Sequence, residues 1–461
     1  MYICIVYCKL QQMKKNLIHN GRIVSDGRVF TGSILVEDDR IAGVYDTKHY
    51  KDIPAYDEKF DATGKIVFPG FIDTHVHFRE PGLTHKADIH SESRAAAAGG
   101  VTTYFDMPNT KPPTTTEELV NQKFAIAKEH SLVNYGFFVG ATNDNIDDLL
   151  RMDYTKVCGI KLFMGSSTGN MLVDNEESLR RLFREAPVNI AAHCESEAII
   201  KAETERFKKL FPTDAHPRIH QHVRNAKACF ESTALAVALA EEYETRLHVC
   251  HISTKRELKL FSDKPLVNKL ITAEACIPHL WFDADDYETA GIRIKCNPSI
   301  KTRADRNAIR YALADNIIDS VATDHAPHTW EEKNRPYFDA PSGMPSVQFG
   351  ICVMMDLYYK RIFPLETIAQ KMCHAPATIF KIKDRGYLRE GYFADIAIID
   401  PDAHWQIHDD TAISKCKWTP FDKLWFGTRV AATMVNGKFV YRDNKIIEGQ
   451  GAAMQVAFNR V

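Results

Sequence analysis

Two histidines separated by one residue follow an apolar run near position 70. The stretch 69–79 (PGFIDTHVHFR) predicts a buried strand that ends in polar side chains. Because side chains of a strand alternate between its two faces, His75 and His77 are expected to point the same way. Two imidazoles on one side of a strand end can bind one divalent metal ion. Arg79 lies one step further on the same side, where a fixed cation can bind an anionic substrate.

Four more residues of ligand or base type occur at the ends of other apolar segments. They are Lys161, His193, His251 and Asp324. Each alone is more often structural: a core histidine, or a lysine that pairs with a carboxylate. The alternative for the lysine is a neutral amine that has added carbon dioxide, since a buried ammonium is costly. The resulting carbamate is an anion that can bridge two metals. An aspartate in such a place can bind a metal and accept a proton from metal-bound water.

Neighbouring residues of the same types are assigned other roles. His248 and His251 are an odd number of residues apart, so a strand aims them at opposite faces, and His251 is taken as the ligand. Cys194 and Cys250 are expected to point outward from the sheet and to pack. Together the histidines, Lys161 and Asp324 predict a centre of two metals, and ligands of this kind favour zinc.

Strands and helices alternate over about 300 residues between the two chain ends. Predicted strands cover 102–107, 134–139, 159–164, 189–193, 246–251, 270–275 and 320–323. Predicted helices include 89–98, 117–129, 177–184, 229–242 and 303–313. This α/β alternation predicts a parallel (β/α)8 barrel of the TIM type, whose sites form at the C-terminal strand ends.

Both ends of the chain have short alternating strands with turn signals. They predict a small β-sandwich built from both termini, with Asn436-Gly437 as a hairpin turn. The predicted boundaries are a leader of no assigned function at 1–13, an N-terminal sandwich part at 14–68, the barrel at 69–385 and a C-terminal sandwich part at 386–461.

Composition excludes several classes of protein. Of 461 residues, 45% are apolar and 26% charged, and the net charge of −2 provides no field that would attract nucleic acid or a membrane surface. Eleven cysteines without a tight framework indicate reduced thiols and a cytoplasmic protein. The apolar start is far too short to cross a bilayer.

The set of candidate ligands, in this order, resembles the amidohydrolase superfamily, and most of all the long, hydantoinase-related dihydroorotases. The motifs that carry the resemblance are HVHFREPG at 75–82, AAGGVTT at 97–103, MPNT at 107–110, DHAPH at 324–328 and the GxxADxA of 391–397. The resemblance implies a zinc-dependent, reversible cyclisation of N-carbamoyl-L-aspartate to L-dihydroorotate in pyrimidine synthesis.

The resemblance also implies a role for each site residue. Two Zn²⁺ per subunit are expected, bridged by carboxylated Lys161 and a hydroxide, with His75 and His77 on one ion, His193 and His251 on the other, and Asp324 as ligand and general base. The implied substrate contacts are His77, Arg79, Asn109, Asn297, His328, Ser342 and Gly343.

Other readings of the same residues remain open. Allantoinases and hydantoinases (dihydropyrimidinases) share the ligands, but Arg79 and Asn109 favour an anionic substrate. A reading from a different functional class is an inactive interaction scaffold of the same superfamily. Loss of metal ligands would indicate such a scaffold. The segment 344–348 (MPSVQ) departs from the relatives' pattern, and the loop 165–170 has no diagnostic residues. The resemblance is compatible with a homodimer acting on a small molecule.

Overall fold

A computed structural model describes residues 14–49, 52–165 and 171–460. The predicted leader at 1–13 and nearly all of the loop 165–170 lie outside these ranges. None of the helices in the described ranges combines the length and apolar character that crossing a bilayer requires.

The chain begins with strands that pair mainly as antiparallel hairpins. They are β1 (Lys15–Ser25), β2 (Arg28–Glu37), β3 (Arg40–Asp46), β4 (Glu58–Asp61) and β5 (Ile66–Pro69). Asp26 and Gly27, with φ of 53° and 70°, join β1 to β2. A two-residue turn with positive φ matches the twist of the strands that it connects, which explains the Asp-Gly pair.

The middle of the chain forms a closed parallel barrel. Its strands are β6 (Phe71–Val76), β7 (Val101–Asp106), β8 (Asn134–Phe137) with its continuation β9 (Val139–Gly140), β10 (Ile160–Phe163), β11 (Ile190–His193), β12 (Leu247–Val249), β13 (Ile271–Cys276) and β14 (Ser320–Ala322). A parallel bridge between Val76 and His325 closes the ring, and the His77 amide donates to the His325 carbonyl at 2.7 Å. The predicted (β/α)8 barrel is confirmed, with strand ends within one or two residues of those expected.

Helices surround the barrel. They are α1 (Ile89–Ala98), α2 (Glu117–His130), α3 (Ile146–Arg151), α4 (Glu176–Glu185), α5 (Glu197–Leu210), α6 (His220–Val223), α7 (Ala226–Glu242), α8 (Ile277–Trp281), α9 (Tyr287–Ala290), α10 (Arg303–Ala314), α11 (Trp330–Lys333), α12 (Gly350–Tyr359), α13 (Leu365–Ala369) and α14 (Ala375–Ile379). One π-helical turn, Gln370–His374, joins α13 to α14.

Two details of the helices differ from expectation. Helix α7 begins earlier than predicted because the Asn225 side chain accepts hydrogen bonds from the Lys227 and Ala228 amides and so caps it. Between β12 and β13 the described chain has only two 3₁₀ helices, Glu257–Leu260 and Leu266–Asn268, in place of an α-helix.

Of the six C-terminal strands in the described ranges, four complete the sheet of the N-terminal region. The six are β15 (Ile396–Asp400), β16 (Trp405–Gln406), β17 (Trp425–Phe426), β18 (Arg429–Val435), β19 (Lys438–Arg442) and β20 (Lys445–Ile446). The sheet order is β20-β19-β18-β15-β5-β1-β2-β3, with β4 beside β1, so β15 and β5 join the two chain ends. Asn436-Gly437 forms the predicted turn between β18 and β19.

Part of the C-terminal region lies outside this sheet. Strands β16 and β17 form a separate hairpin. Beyond β20 the chain returns to the barrel, where the Val456 amide donates to the Tyr135 carbonyl at 3.0 Å. The region 386–461 therefore contributes to the barrel wall as well as to the terminal sheet.

Candidate metal centre

A cavity of about 210 Å³ opens at the C-terminal ends of the barrel strands. Every predicted ligand and substrate residue lines it: His75, His77, Arg79, Asn109, Lys161, His193, His251, Asn297, Asp324, His328, Ser342 and Gly343. Three larger clefts, of about 590, 350 and 300 Å³, contain none of them. The chemistry of the lining residues, and not cavity size, therefore marks this site.

Three of the donors converge on one point. His75 Nε2 lies 3.4 Å and His77 Nε2 3.3 Å from Asp324 Oδ1. Donor atoms bound to a tetrahedral zinc are roughly 3.3 Å apart, as follows from bonds of about 2.0–2.1 Å. Burial lowers the pKa of His75 and lowers that of His77 to about 3, so both imidazoles are neutral. Neutral imidazole is the form that binds a metal.

Two histidines form a second donor pair. His193 Nδ1 lies 2.8 Å from His251 Nε2. Glu195 Oε2 is 3.0 Å from His193 Nε2, outside hydrogen-bond geometry, but close enough to favour a proton on that nitrogen. His251 Nδ1 is buried without a partner among the described residues. The two inner nitrogens share one hydrogen bond, and loss of its proton would leave two nitrogen lone pairs that a cation could bind.

Lys161 lies between the two donor sets and is fully buried. Its Nζ contacts Cys250 Sγ at 3.1 Å, and no carboxylate lies within 4 Å of it in the described ranges. The alternative of a lysine paired with a carboxylate is thus not what the structure has. The expectation that Cys250 points outward is wrong, because Cys250 lies two residues after His248, whose side chain faces the barrel interior beside Glu274, and so shares that face. His251 reaches the cavity as well because its φ of 38° breaks the alternation.

The other end of the cavity is cationic. Arg79 donates from Nε to the Pro327 carbonyl at 2.9 Å, and its Nη2 lies 3.1 Å from His328 Nε2. Its Nη1 has no hydrogen-bond partner in the described part of the chain. Burial lowers the pKa of Arg79 to about 10, which leaves it charged near neutral pH. The arrangement suits an anion at the exposed edge of the guanidinium.

The remaining predicted substrate residues complete the wall of the cavity. Asn109 Oδ1 accepts a hydrogen bond from His77 Nδ1 at 2.6 Å, so this residue also orients a ligand. Asn297 Oδ1 lies 3.2 Å from His220 Nε2. Gly343 has φ of 128°, and a Cβ there would lie 2.6 Å from the Ala326 carbonyl oxygen, so only glycine fits without strain.

A model of the amidohydrolase family matches residues 66–440. The chain belongs to the amidohydrolase family. Curated relatives named dihydroorotase include one from Methanothermobacter thermautotrophicus, 33% identical over 86% of this chain and 88% of its own length. Another, from Lactobacillus acidophilus, is 31% identical over 93% and 99%. The predicted likeness to dihydroorotases is confirmed, and the chain is an enzyme of the cyclic amidohydrolase class.

Solved structures of the same fold are hydantoinases. The L-hydantoinase (dihydropyrimidinase) from Arthrobacter aurescens has a TM-score of 0.90 and 27% identity, covering 96% of this chain and 99% of its own. The dihydropyrimidinase from Brevibacillus agri, with a TM-score of 0.86 and 22% identity over 97% and 100%, supports the fold alone.

Sequence reasoning missed Glu274, which supports the ligands of this amidohydrolase. The glutamate is buried on β13, and its Oε1 accepts from His75 Nδ1 at 2.8 Å. Its Oε2 accepts from Thr74 Oγ1 at 3.1 Å and lies 3.4 Å from His248 Nε2. This contact fixes the tautomer of His75 so that Nε2 faces the centre. The sequence offered one signal for this residue, namely a single acidic side chain within a predicted buried strand.

Replacing Glu274 with Gln is expected to weaken zinc binding by about 10- to 100-fold, because the ligand His75 loses its charged orienting partner. Competition with a chromophoric chelator measures this affinity. Glu257→Gln is the matched control, because Glu257 is equally buried but accepts only from hydroxyls and one amide. Equal zinc affinity in both variants would refute the orienting role.

Three site residues have backbone conformations that are rare outside glycine. Arg79, His251 and Asp324 have φ of 71°, 38° and 49°. A left-handed conformation of this kind costs about 1–3 kcal/mol and persists only when the surroundings enforce it. Each follows a barrel strand, where the strained turn aims the side chain into the cavity.

Proposed function

We propose that this amidohydrolase is a dihydroorotase that interconverts N-carbamoyl-L-aspartate and L-dihydroorotate. The observation that carries the proposal is a buried arginine, Arg79, that lines the same cavity as the metal donors. A cyclic amide that reaches both the donors and Arg79 must carry an anionic group on its ring. Relatives named dihydroorotase, at 31–35% identity, support the same substrate.

His75, His77 and Asp324 would hold one zinc ion and His193 and His251 a second, and a carboxylated Lys161 would supply an anionic ligand to the centre. Bound zinc supplies Lewis acidity toward the ring carbonyl and a nucleophilic water at neutral pH. We infer zinc from the donor atoms, because imidazole and carboxylate at these separations suit a tetrahedral d¹⁰ ion.

The residues of the chain then have separate tasks. Arg79 binds the exocyclic carboxylate and fixes the ring relative to the donors, which removes orientational freedom before the reaction. His328 supports the guanidinium, and Asn109 holds His77. Asp324 accepts a proton from the attacking water and returns it to the leaving ring nitrogen. In the cyclisation direction the same proton moves the opposite way.

A hydantoinase is the second candidate, since a solved L-hydantoinase shares the fold at a TM-score of 0.90. Purified enzyme would be assayed with dihydroorotate, hydantoin and allantoin under the same conditions. We expect kcat/KM for dihydroorotate to exceed the other two by at least about 100-fold, since a site with a fixed polar group strongly rejects an analogue that lacks its partner. A preference for either neutral ring would refute the proposal.

Metal content tests the two-zinc proposal and the scaffold alternative together. After zinc-supplemented expression, elemental analysis is expected to give about two zinc ions per chain, and intact mass or crystallographic density to show a carboxylated Lys161. The Lys161→Ala variant is expected to retain less zinc, because the bridging anion is lost. Fewer than one zinc per chain in the parent enzyme would favour the scaffold, and a bare Lys161 amine in active enzyme would refute the carbamate.

A further inference from the structure

Two lysines that no part of the reaction uses lie buried behind the substrate end of the cavity. Lys333 is fully buried at the end of α11, and Lys295 is 7% exposed in the segment before Asn297. Both are hydrogen-bonded to main-chain carbonyls. Lys333 Nζ donates to Lys295, Pro341 and Gly343 at 2.8, 3.1 and 2.7 Å, and Lys295 Nζ to Tyr337 and Ala340 at 2.6 and 2.5 Å.

The three acceptors around Lys333 identify its charge state. A neutral amine has two N–H donors, whereas an ammonium has three. Three carbonyl oxygens within 3.1 Å of Nζ therefore require the charged form. Carbonyls satisfy its hydrogen bonds but do not neutralise its charge.

No carboxylate of the described residues pairs directly with these lysines, and only the more distant Asp339 raises the pKa of Lys295. Within the described ranges, no carboxylate oxygen lies within 4 Å of Lys295, Lys333 or Arg79. The nearby cations Lys86 and Arg224, in contrast, pair with Glu332 and Glu195. Burial and the neighbouring cations lower the pKa of Lys295 to about 8 and that of Lys333 well below its usual range. Three buried positive charges at one end of a cavity are costly until an anion enters.

Lys333 also joins the two segments that wall the substrate end. It binds the carbonyl of Lys295 on one segment and those of Pro341 and Gly343 on the other. Gly343 in turn packs against His328, where an added Cβ would be 3.2 Å from Nε2. Through His328 this contact reaches Arg79.

We propose that Lys333 and Lys295 are specificity-determining positioning residues, whose uncompensated buried charge makes the site select substrates that carry a carboxylate. This inference rests on the proposed function and adds the residues that enforce it. Arg79 contacts the anion, whereas the lysines act from behind through the cavity wall and through the electrostatic potential.

The test compares pyrimidine-ring ligands that carry a carboxylate with one that does not. KM for dihydroorotate and Ki for orotate (anionic) and dihydrouracil (neutral) would be measured for the parent, Lys333→Met and Lys295→Met, with binding of the two analogues checked by thermal shift. We expect KM and the Ki of orotate to rise about tenfold, kcat to stay within threefold and the Ki of dihydrouracil to stay within twofold.

Lys371→Met is the matched control. Lys371 is 2% exposed, donates to Asn316 Oδ1 and the Ile318 carbonyl at 2.9 and 2.7 Å, and lies at the opposite end of β14. It is expected to lose stability without a change in the ratio of the two Ki values. If orotate and dihydrouracil weaken equally in both active-site lysine variants, the charge-selection inference is wrong. Failure of the parent to hydrolyse dihydroorotate would instead refute the proposed function, while the ratio of analogue affinities still tests the lysines.

Discussion

Replacing Asp324 with Asn is expected to lower kcat for dihydroorotate by roughly 10³-fold, the middle of the range for general acid–base groups. Asn keeps the size of the side chain but cannot accept the proton from the attacking water. The neutral amide oxygen is also a weaker metal ligand than a carboxylate oxygen. The Asp324 Oδ1 atom that it replaces lies 3.4 Å from His75 Nε2 and 3.3 Å from His77 Nε2. Steady-state kinetics in both reaction directions, with zinc content measured in the same samples, would check this result.

Asp319→Asn is the control, because Asp319 is a buried aspartate next to the other end of β14. Asp319 precedes β14 and accepts from Lys269 Nζ at 2.7 Å and the Ala273 amide at 2.9 Å, at the barrel end opposite the cavity. Its loss is expected to lower the melting temperature and to leave kcat per folded enzyme within about threefold, because it contacts no site residue. A fully zinc-loaded Asp324→Asn enzyme with kcat within tenfold of the parent would contradict the proton-transfer role.

Replacing Arg79 with Ala is expected to lower kcat/KM for dihydroorotate by about 10²- to 10³-fold, because the ring loses the contact that orients it. Arg79→Lys should recover only a small part of the lost kcat/KM, since a lysine cannot form two parallel hydrogen bonds with a carboxylate. Its ammonium also cannot replace both the contact to Pro327 and the one toward His328. The measurement is kcat/KM for dihydroorotate and, in the same variants, for hydantoin.

Hydantoin turnover and a neighbouring cation serve as controls for the Arg79 series. Any activity on hydantoin should be unchanged, because that ring has no carboxylate for Arg79 to bind. Lys86→Ala removes a nearby cation that already pairs with Glu332 at 3.3 Å, and it is expected to cost less than about fivefold. Retention of most dihydroorotate activity by Arg79→Ala would disprove the carboxylate contact.

The ligand residues could be predicted from sequence because the residue type and the apolar pattern of a single strand are enough to identify each of them. An apolar strand that ends in His75, His193 or Asp324 reveals both the element and the position of the residue on it. Parallel strands of a closed barrel all end on one face, so ligand-type residues at those ends must approach one another. The structure brings all the predicted residues to one cavity for this reason.

Side-chain direction beyond a strand end was less predictable. Cys250 was placed outside because it adjoins the inward ligand His251, but it shares the inward face of His248, and its thiol contacts Lys161 at 3.1 Å. The φ of 38° at His251 and of 49° at Asp324 likewise could not be predicted from sequence, since a left-handed conformation is uncommon for any non-glycine residue even though His and Asp adopt it more often than most. Pattern rules hold only while the regular backbone lasts.

The sequence by itself determined the barrel, the terminal sheet and the identity of the donor atoms, because each follows from periodicity and residue type along one element. Only the tertiary structure decided which groups support them. Glu274 reaches His75 across two strands that are 199 residues apart, and Lys333 ties the segment of Lys295 to that of Gly343. Such contacts depend on how elements that are far apart in the sequence pack against one another. No local sequence pattern indicates which of these elements will meet.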